Sequence, residues 1–236
     1  MGKRIIQQAR GKGSPTYKAP SFRYVGKPKH PGVSDISGVV AGLIHCPGHT
    51  APLAHVVYDD DSHGLMIATE GLIVGQSVVV ASGAESTTGN VLPLEDVPEG
   101  ALVNNIELIP GDGGKFVRAS GVFAKVVGKQ NGKVTVLLPS KKSKIFNGKC
   151  RAGIGVVAGG GRTDKPFLKA GTKMHRMRAT NKLYPRSSAA SMNAVDHPYG
   201  NKHSSRKSKA MPVSRNAPPG RKVGMIAARK TGRSKK

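Results

Sequence analysis

Three groups of residues in this sequence have types and spacings that could do chemistry. The first is Asp196 beside His197 in Met192-Asn193-Ala194-Val195-Asp196-His197-Pro198-Tyr199-Gly200. A carboxylate that orients an imidazole makes a general base. No nucleophile or metal set accompanies the pair, and Asp, Pro and Gly together form turns, so the segment reads as a turn before it reads as a catalytic dyad. The second is Gly111-Asp112-Gly113-Gly114-Lys115-Phe116. It lacks the spacing of a nucleotide-binding loop, and Phe116 stands where a Mg²⁺-binding hydroxyl belongs. The expectation is a glycine-rich turn that brings backbone N–H groups and Lys115 near an RNA phosphate. The third is His45, Cys46, His49, His55 and His63. Zinc sites pair their ligands, and a second cysteine pair is missing, so a buried Cys and surface histidines are the simpler account and no metal is expected.

The elements that must position these residues follow from how charge is distributed. Residues 33–110 contain no Lys or Arg but hold ten of the 13 acids. Residues 1–32 carry eight bases and no acid, and residues 111–236 carry 30 bases against Asp112, Asp164 and Asp196. The formal net charge is +25, with pI near 10.5. Charge confined to two ends and one flank points to a folded body held in a polyanion by basic extensions. No stretch approaches the roughly 20 apolar residues of a membrane span. The first residues hold no apolar run long enough for a signal peptide. Two cysteines more than 100 residues apart give no disulfide framework and fit a reducing, cytoplasmic setting.

Val, Ile and Leu are dense from about residue 36 to 158, enough for two barrels of about 60 residues each. Residues 1–32 read as an extended arm, with Pro15, Pro20, Pro28 and Pro31 breaking any helix beyond Lys3–Arg10. Strands are expected at Val39–Ile44, Leu53–Tyr58, Leu65–Ala68 and Val78–Ala81, with Asp59-Asp60-Asp61 at a hairpin turn. After a loop through Gly89–Gly100, a second set is expected at Leu102–Ile109, Phe116–Val127, Lys133–Leu138, Lys144–Phe146 and Arg151–Val157. Asn131-Gly132 is a hairpin signal because both residues tolerate positive φ. Gly121 within a strand suggests a bulge or bend. One helix is expected, Lys165–Arg178, with Phe167, Leu168, Met174 and Met177 as a partial apolar stripe that Gly171 interrupts. From Ala179 onward no regular pattern is visible.

Both ends interleave bases with aromatics: Tyr17, Phe22 and Tyr24 in the first, Tyr184 and Tyr199 in the second. Cations neutralise phosphates, and rings stack on unpaired bases, so these ends suit a chain that folds onto RNA. A free-standing chromatin or nucleoid-type binder is the competing class. An enzyme built on His197 and Asp196 is a third.

Several stretches together resemble the universal large-subunit ribosomal protein L2 family in its archaeal form. They are Gly89-Asn90-Val91-Leu92-Pro93-Leu94 with Pro98-Glu99-Gly100, Pro110–Lys115 with Arg118-Ala119-Ser120-Gly121, and Arg151–Val157. Gly159–Pro166, Met192–Gly200 and Arg215–Gly224 follow in the family's order, so the resemblance covers nearly the whole chain. It implies an oligonucleotide-binding-type barrel followed by an SH3-like barrel, mainly β overall, with both extensions threaded through large-subunit rRNA. It implies a place near the peptidyl transferase centre and a part in subunit association and tRNA binding. Arg118 matches a key rRNA contact. His197 matches a histidine that supports peptidyl transfer, in a structural rather than a proton-transfer role, so no catalytic residue and no enzyme is expected.

The chain departs from the pattern in three places. His49-Thr50-Ala51 stands where the family usually places an rRNA-contact arginine, and a neutral imidazole supplies neither permanent charge nor fork geometry. Tyr199-Gly200 leads into Asn201-Lys202-His203-Ser204 instead of a glycine run. Ser187–Ser191 lacks the usual R-G-V-A. The expected organisation is a basic arm (1–33), a first barrel (34–84), a second barrel (85–160) and a basic extension with one short helix (161–236). The expected RNA contacts are Arg4, Arg10, Arg23, Lys115, Arg118, Arg151, Arg162, Lys165, Arg176, Arg178, His197, Arg215, Arg221 and Lys222. The expected partners are large-subunit rRNA, neighbouring ribosomal proteins and the small subunit at the intersubunit face. No membrane, homo-oligomer or cofactor is expected, beyond Mg²⁺ shared with rRNA. RNA contact should rest mainly on the second barrel and the arms.

Overall fold

The computed structural model describes residues 2–201 and 211–229. Contacts divide the chain into a larger unit, Ser21–Thr172, and a smaller one, Met1–Pro20 with Lys173–Lys236. The larger unit has the mainly β architecture expected from the sequence. Its strands are β1 (Ile36–Ile44), β2 (Leu53–Tyr58), β3 (His63–Ile67), β4 (Ser77–Val80), β5 (Val91–Pro93), β6 (Leu102–Asn104), β7 (Ala124–Gln130), β8 (Lys133–Leu137), β9 (Ser143–Asn147) and β10 (Arg151–Ile154). They form one continuous sheet in the order β3-β2-β1-β4-β5-β10-β6-β7-β8-β9.

Two hydrophobic cores lie along that sheet. Val40, Ala54, Val56, Tyr58, Met66, Val78, Val80 and Val91 form the first. Leu92, Leu94, Val103, Ile106, Val126, Val134, Val136, Phe146 and Ile154 are among those that form the second. The strand that joins them, β5, falls in the stretch expected to be a loop. Successive side chains of a strand point to opposite faces, and here Val91 enters the first core while Leu92 enters the second. β5 pairs in parallel with β4 through Val80 and Val91, and antiparallel with β10. A three-residue strand therefore fixes one core against the other.

The turn chemistry explains the remaining connections. Asn131 and Gly132 adopt φ of 50° and 68° between the paired residues Gln130 and Lys133, a two-residue hairpin of the expected kind. Asp59–Asp61 connect β2 to β3, with Asp61 at φ 58° and the Asp60 carboxylate accepting the Ser62 N–H at 3.0 Å. Two expected strands are shorter than their apolar patterns. Asn105, at φ 45°, ends Leu102–Ile109 after Asn104. The long strand Phe116–Val127 does not form: Phe116 makes a single bridge to Ile106, Val117 and Gly121 take φ of 57° and 71°, and regular pairing begins at Ala124. Gly121 packs so closely on Gly160 that a Cβ there would stand 2.6 Å from the Gly160 Cα.

In the smaller unit the two chain ends meet. Helix α1 spans Ile6–Gly11, and the Lys3 N–H donates to the Val195 carbonyl at 2.8 Å. The Asn181 amide donates to the carbonyls of Thr16 (2.9 Å) and Lys18 (2.7 Å), and Arg10 donates to the Asn181 carbonyl. Two short parallel strands, β11 (Pro212–Val213) and β12 (Met225–Ile226), close the C-terminal part. The expected helix begins later than Pro166: α2 spans Ala170–Ala179. None of its residues is buried, and Leu168 is 97% exposed, so the apolar stripe read from the sequence is not a core face. Among the described residues no helix is long and apolar enough to cross a membrane.

Because both the Gly121 backbone conformation and the space around it exclude a side chain, Gly121→Ala should destabilise the chain by about 1–3 kcal/mol. Urea unfolding of the full chain followed by circular dichroism measures this, and an unchanged midpoint would contradict the packing described.

Candidate nucleic-acid interface

The glycine-rich turn is built around a buried carboxylate. Glu107 is fully buried. It accepts the N–H groups of Gly111 (3.1 Å), Gly113 (3.1 Å) and Arg151 (3.0 Å), and the Arg151 guanidinium lies 3.0 Å away. Asp112 accepts the N–H groups of Leu108 (3.0 Å), Ile109 (3.3 Å) and Gly114 (3.0 Å). Burial opposes both charges, but these donors outweigh it and hold both carboxyls below their ordinary pKa. The expectation that this turn offers its N–H groups to phosphate is therefore corrected. The donors of Gly111, Gly113 and Gly114 are already taken by the protein's own carboxylates. Only the exposed Lys115 side chain projects from the turn.

The turn in turn holds residues 28–33 of the expected arm, which belong to the fold. The His30 N–H donates to the Gly113 carbonyl at 3.1 Å, and the Lys29 N–H to Leu65 at 2.9 Å. The Arg118 guanidinium donates to the carbonyls of Gly114 (3.0 Å) and Pro28 (2.8 Å). Arg151 donates to the Pro31 carbonyl at 2.8 Å. His30 is buried, and its Nε2–H donates to the Asn105 carbonyl at 2.7 Å. Burial pushes its pKa down to about 4, against the Asn105 hydrogen bond and the Glu107 charge. Its Nδ1 is buried with no hydrogen-bond partner in the chain, so a second proton there would be an unpaired buried charge.

Arg151 and Arg118 thus differ as RNA ligands. The Arg151 side chain is 11% exposed and saturated by Glu107 and Pro31. Arg118 is only partly buried. Burial disfavours its charge, and Asp112 offsets this in part. A guanidinium carries five N–H donors, and two of those of Arg118 are committed to carbonyls, so it keeps donors for an anion. Its charge also reaches His49. There burial first, then Arg118, lowers the imidazole pKa. The position where the family pattern has an arginine is thus held neutral, with His49 Nδ1 3.1 Å from the buried Cys46 Sγ. His55 and His63 stack on each other elsewhere, ring centroids 5.2 Å apart. Among the described residues no three His, Cys, Asp or Glu side chains gather as a metal site.

The other expected contacts lie in both units. In the larger unit Lys115, Arg162 and Lys165 are exposed, Arg162 with its Nε–H on Ser120 Oγ at 3.1 Å. Arg23 lies over the ring of Phe22 at 5.4 Å, and that ring is 82% exposed, free to stack. In the smaller unit Arg4, Arg215, Arg221 and Lys222 are exposed, and Arg10 lies over Tyr17 at 5.4 Å. Arg176 and Arg178 sit in the last turn of α2, where the helix dipole favours cations. Sequence reasoning missed Lys144, which lies 4.1 Å from the Phe116 ring centroid and 5.2 Å from that of Phe146. It also missed Glu107, His30 and Asn105. A lone acid inside the apolar run Ile106-Glu107-Leu108-Ile109 was the available signal.

The turn at His197 does not present a dyad. Asp196 faces Lys3 at 3.6 Å. The imidazole Nδ1 accepts the Tyr199 N–H at 3.0 Å, which places the proton of the neutral ring on Nε2. Burial lowers the His197 pKa and favours that neutral form. Residues 202–210, which carry the Lys202-His203-Ser204 departure from the family pattern, lie outside the described residues.

A mainly β chain that holds its acids inward and presents Arg, Lys and an exposed ring outward is of the RNA-binding class. Residues 4–80 match the family model described as ribosomal proteins L2, RNA-binding N-terminal domain, and residues 87–217 match that of the L2 C-terminal domain. A protein of Methanococcoides burtonii named large ribosomal subunit protein uL2 is 50% identical over 236 residues, covering 99% of this chain and 100% of that one. Proteins of the same name from Halorubrum lacusprofundi and Archaeoglobus fulgidus are 49% and 51% identical, covering 99% and 98% of this chain and 98% and 99% of theirs. The chain belongs to the ribosomal protein L2 family.

Glu107→Gln leaves the buried Arg151 without its counter-charge and should cost about 3–5 kcal/mol, read as a lowered denaturation midpoint at neutral pH. His30 sets a pH dependence of definite sign. Its folded pKa is about 4 against 6.5 for the free side chain, so as pH falls through that window the unfolded chain binds a proton that the folded chain refuses. Its stabilisation is full above 6.5 and lost progressively toward 4. His49 and His197 are shifted in the same direction, so His30→Gln should reduce, not abolish, the slope of stability against pH between 6.5 and 4. Unfolding titrations at several pH values give both slopes, and equal slopes would remove His30 from this role.

Proposed function

We propose that this chain is a structural constituent of the large ribosomal subunit, acting in translation by binding and shaping large-subunit rRNA. The observation that carries the reading is the match to both L2 domains in sequence, with the outward cations Lys115, Arg162, Lys165, Arg215, Arg221 and Lys222 lying in the second match or just beyond it. Charge neutralisation supplies most of the affinity. The half-buried Arg118, with donors to spare and burial acting against its charge, supplies a positioned contact. Two barrels, at about 34–84 and 85–160, act as the body, and the basic segments at the ends order against rRNA. The segment without Lys or Arg, including Asp59–Asp61, faces solvent or a basic neighbouring protein. The finer parts of this reading are support of subunit association, tRNA binding and peptidyl transferase centre organisation. A positional role of neutral His197 near that centre, and single-copy assembly on cytoplasmic ribosomes, complete it.

Sucrose-gradient sedimentation tests it. The chain should co-migrate with the large subunit at moderate and at high salt. A chromatin-type binder would instead leave the ribosomal fractions and bind generic duplex DNA comparably. Arg118→Ala should lower the salt concentration at which the protein is released more than Lys236→Ala does, because a fork held by two carbonyls is pre-organised. Lys236 lies outside the described residues. Equal release points would remove Arg118 from the contact set, and a wholly soluble pool would overturn the function.

A further inference from the structure

The smaller unit contains a cavity of about 540 Å³ whose lining includes Ile5, Arg186, His197, Tyr199, Lys222 and Ile226. We propose that it is a receptor for a single unpaired rRNA nucleotide, with the base against His197 and Tyr199 and the phosphate held by Arg186 and Lys222. The proposal rests on the ribosomal reading above and assigns one site within it.

Size, rigidity, donors and charge all bear on this assignment. The volume falls in the range of pockets that enclose small organic ligands, roughly 300–1,000 Å³, and so suits one nucleotide rather than a helix. Its aromatic wall is fixed. The Tyr199 hydroxyl donates to the Val223 carbonyl at 3.1 Å and accepts the Met211 N–H at 3.4 Å. Gly224 lies so close that a Cβ would stand 2.3 Å from that hydroxyl, and at Gly200 a Cβ would stand 2.3 Å from the Asn193 carbonyl oxygen. Two glycines thus permit the close packing that sets the ring, and His197 meets it edge-on at 5.2 Å between centroids.

With Nδ1 committed to the Tyr199 N–H, His197 has Nε2–H left as a donor, suited to a base carbonyl or ring nitrogen. Residues 1–20 and 173–236 contain one acid, Asp196, which faces Lys3. Arg186 and Lys222 are exposed at the rim with no acid printed against them among the described residues. RNA is read mainly through splayed-out bases stacked on aromatic or imidazole rings, and this cavity offers that surface beside two phosphate ligands.

A diazirine amino acid placed at Ile226 on the cavity wall, and separately at the exposed Lys165 of the larger unit, tests the proposal in assembled large subunits. After irradiation, crosslinked rRNA positions are mapped by reverse-transcription stops. The expected result is one dominant stop from position 226 at a nucleotide that is unpaired in the rRNA secondary structure. Ala190→Phe, which fills the cavity with a ring, should reduce that stop at least tenfold relative to the Lys165 crosslink measured in the same way. The proposal is overturned if position 165 crosslinks rRNA while 226 crosslinks only protein or paired nucleotides, or if Ala190→Phe leaves the ratio unchanged. Saturable binding of AMP, CMP, GMP or UMP to the full chain, with no rRNA crosslink from 226, assigns the cavity to free nucleotides and overturns it as well. If neither position crosslinks and the chain is absent from the subunit, the ribosomal reading itself fails and takes the cavity assignment with it.

Discussion

A carboxylate taken fully out of water is tolerated only when it is paired and its remaining lone pairs are filled. Glu107 meets that condition with three backbone N–H groups and one guanidinium, and the rest of the larger unit depends on how it does so. Its donors come from the glycine turn and from the first residue of β10. Filling its lone pairs therefore clamps the turn onto the second core. The clamped turn then presents the Gly113 and Gly114 carbonyls, which receive the His30 N–H and Arg118. Arg151, oriented by the same carboxylate, reaches Pro31. Residues 28–33 are thus sewn to the second barrel by groups whose geometry goes back to one buried charge.

The same logic explains where the acids of a strongly basic chain are kept. Lys and Arg side chains cannot accept hydrogen bonds, so a turn N–H that needs a side-chain acceptor calls for a carboxylate, amide or hydroxyl. Asp35 accepts the Ser82 N–H, Asp60 that of Ser62, Asp96 that of Gly83, and Glu99 that of Lys129. With Glu107 and Asp112, these acids pin turns and strand ends. The segment without Lys or Arg is less a repulsive surface than the stretch where the fold's irregular connections require anions. Cations are correspondingly removed from it to the surfaces where a polyanion can meet them.

What the sequence made legible was local. Strands with clear alternation, the Asn131-Gly132 hairpin and the acidic turn at Asp59–Asp61 all form where turn chemistry and period place them. The features that escaped depend on distant partners. β5 is three residues long between turn formers, and nothing in Val91-Leu92-Pro93 announces that its two faces enter different cores. The strand expected at Phe116–Val127 fails because Gly121 is specified by its contact with Gly160, not by its neighbours in sequence. Arg118 and Arg151 were both legible as functional arginines, but only the fold separates one with donors to spare from one saturated by Glu107. That the two chain ends share a unit was invisible, because Asn181 meets Thr16 and Lys18 across more than 160 residues.

That shared unit bears on why the ends are so basic. Among its described residues Val223 is the only hydrophobic one that is buried. Ordering a residue costs roughly 1–2 kcal/mol of backbone entropy, and one buried valine returns about 1.5–3 kcal/mol. Hydrogen bonds such as those of Asn181 and Tyr199 add about 0.5–1.5 kcal/mol each, which does not offset several dozen ordered residues. The balance must come from outside the chain. A dense set of Lys and Arg with Asp196 as the single acid is attracted to a phosphate surface in proportion to the counterions it releases. The cation excess that first marks the two ends in the sequence is then also the source of their order: the polyanion that binds them supplies the free energy that a hydrophobic core supplies in the larger unit.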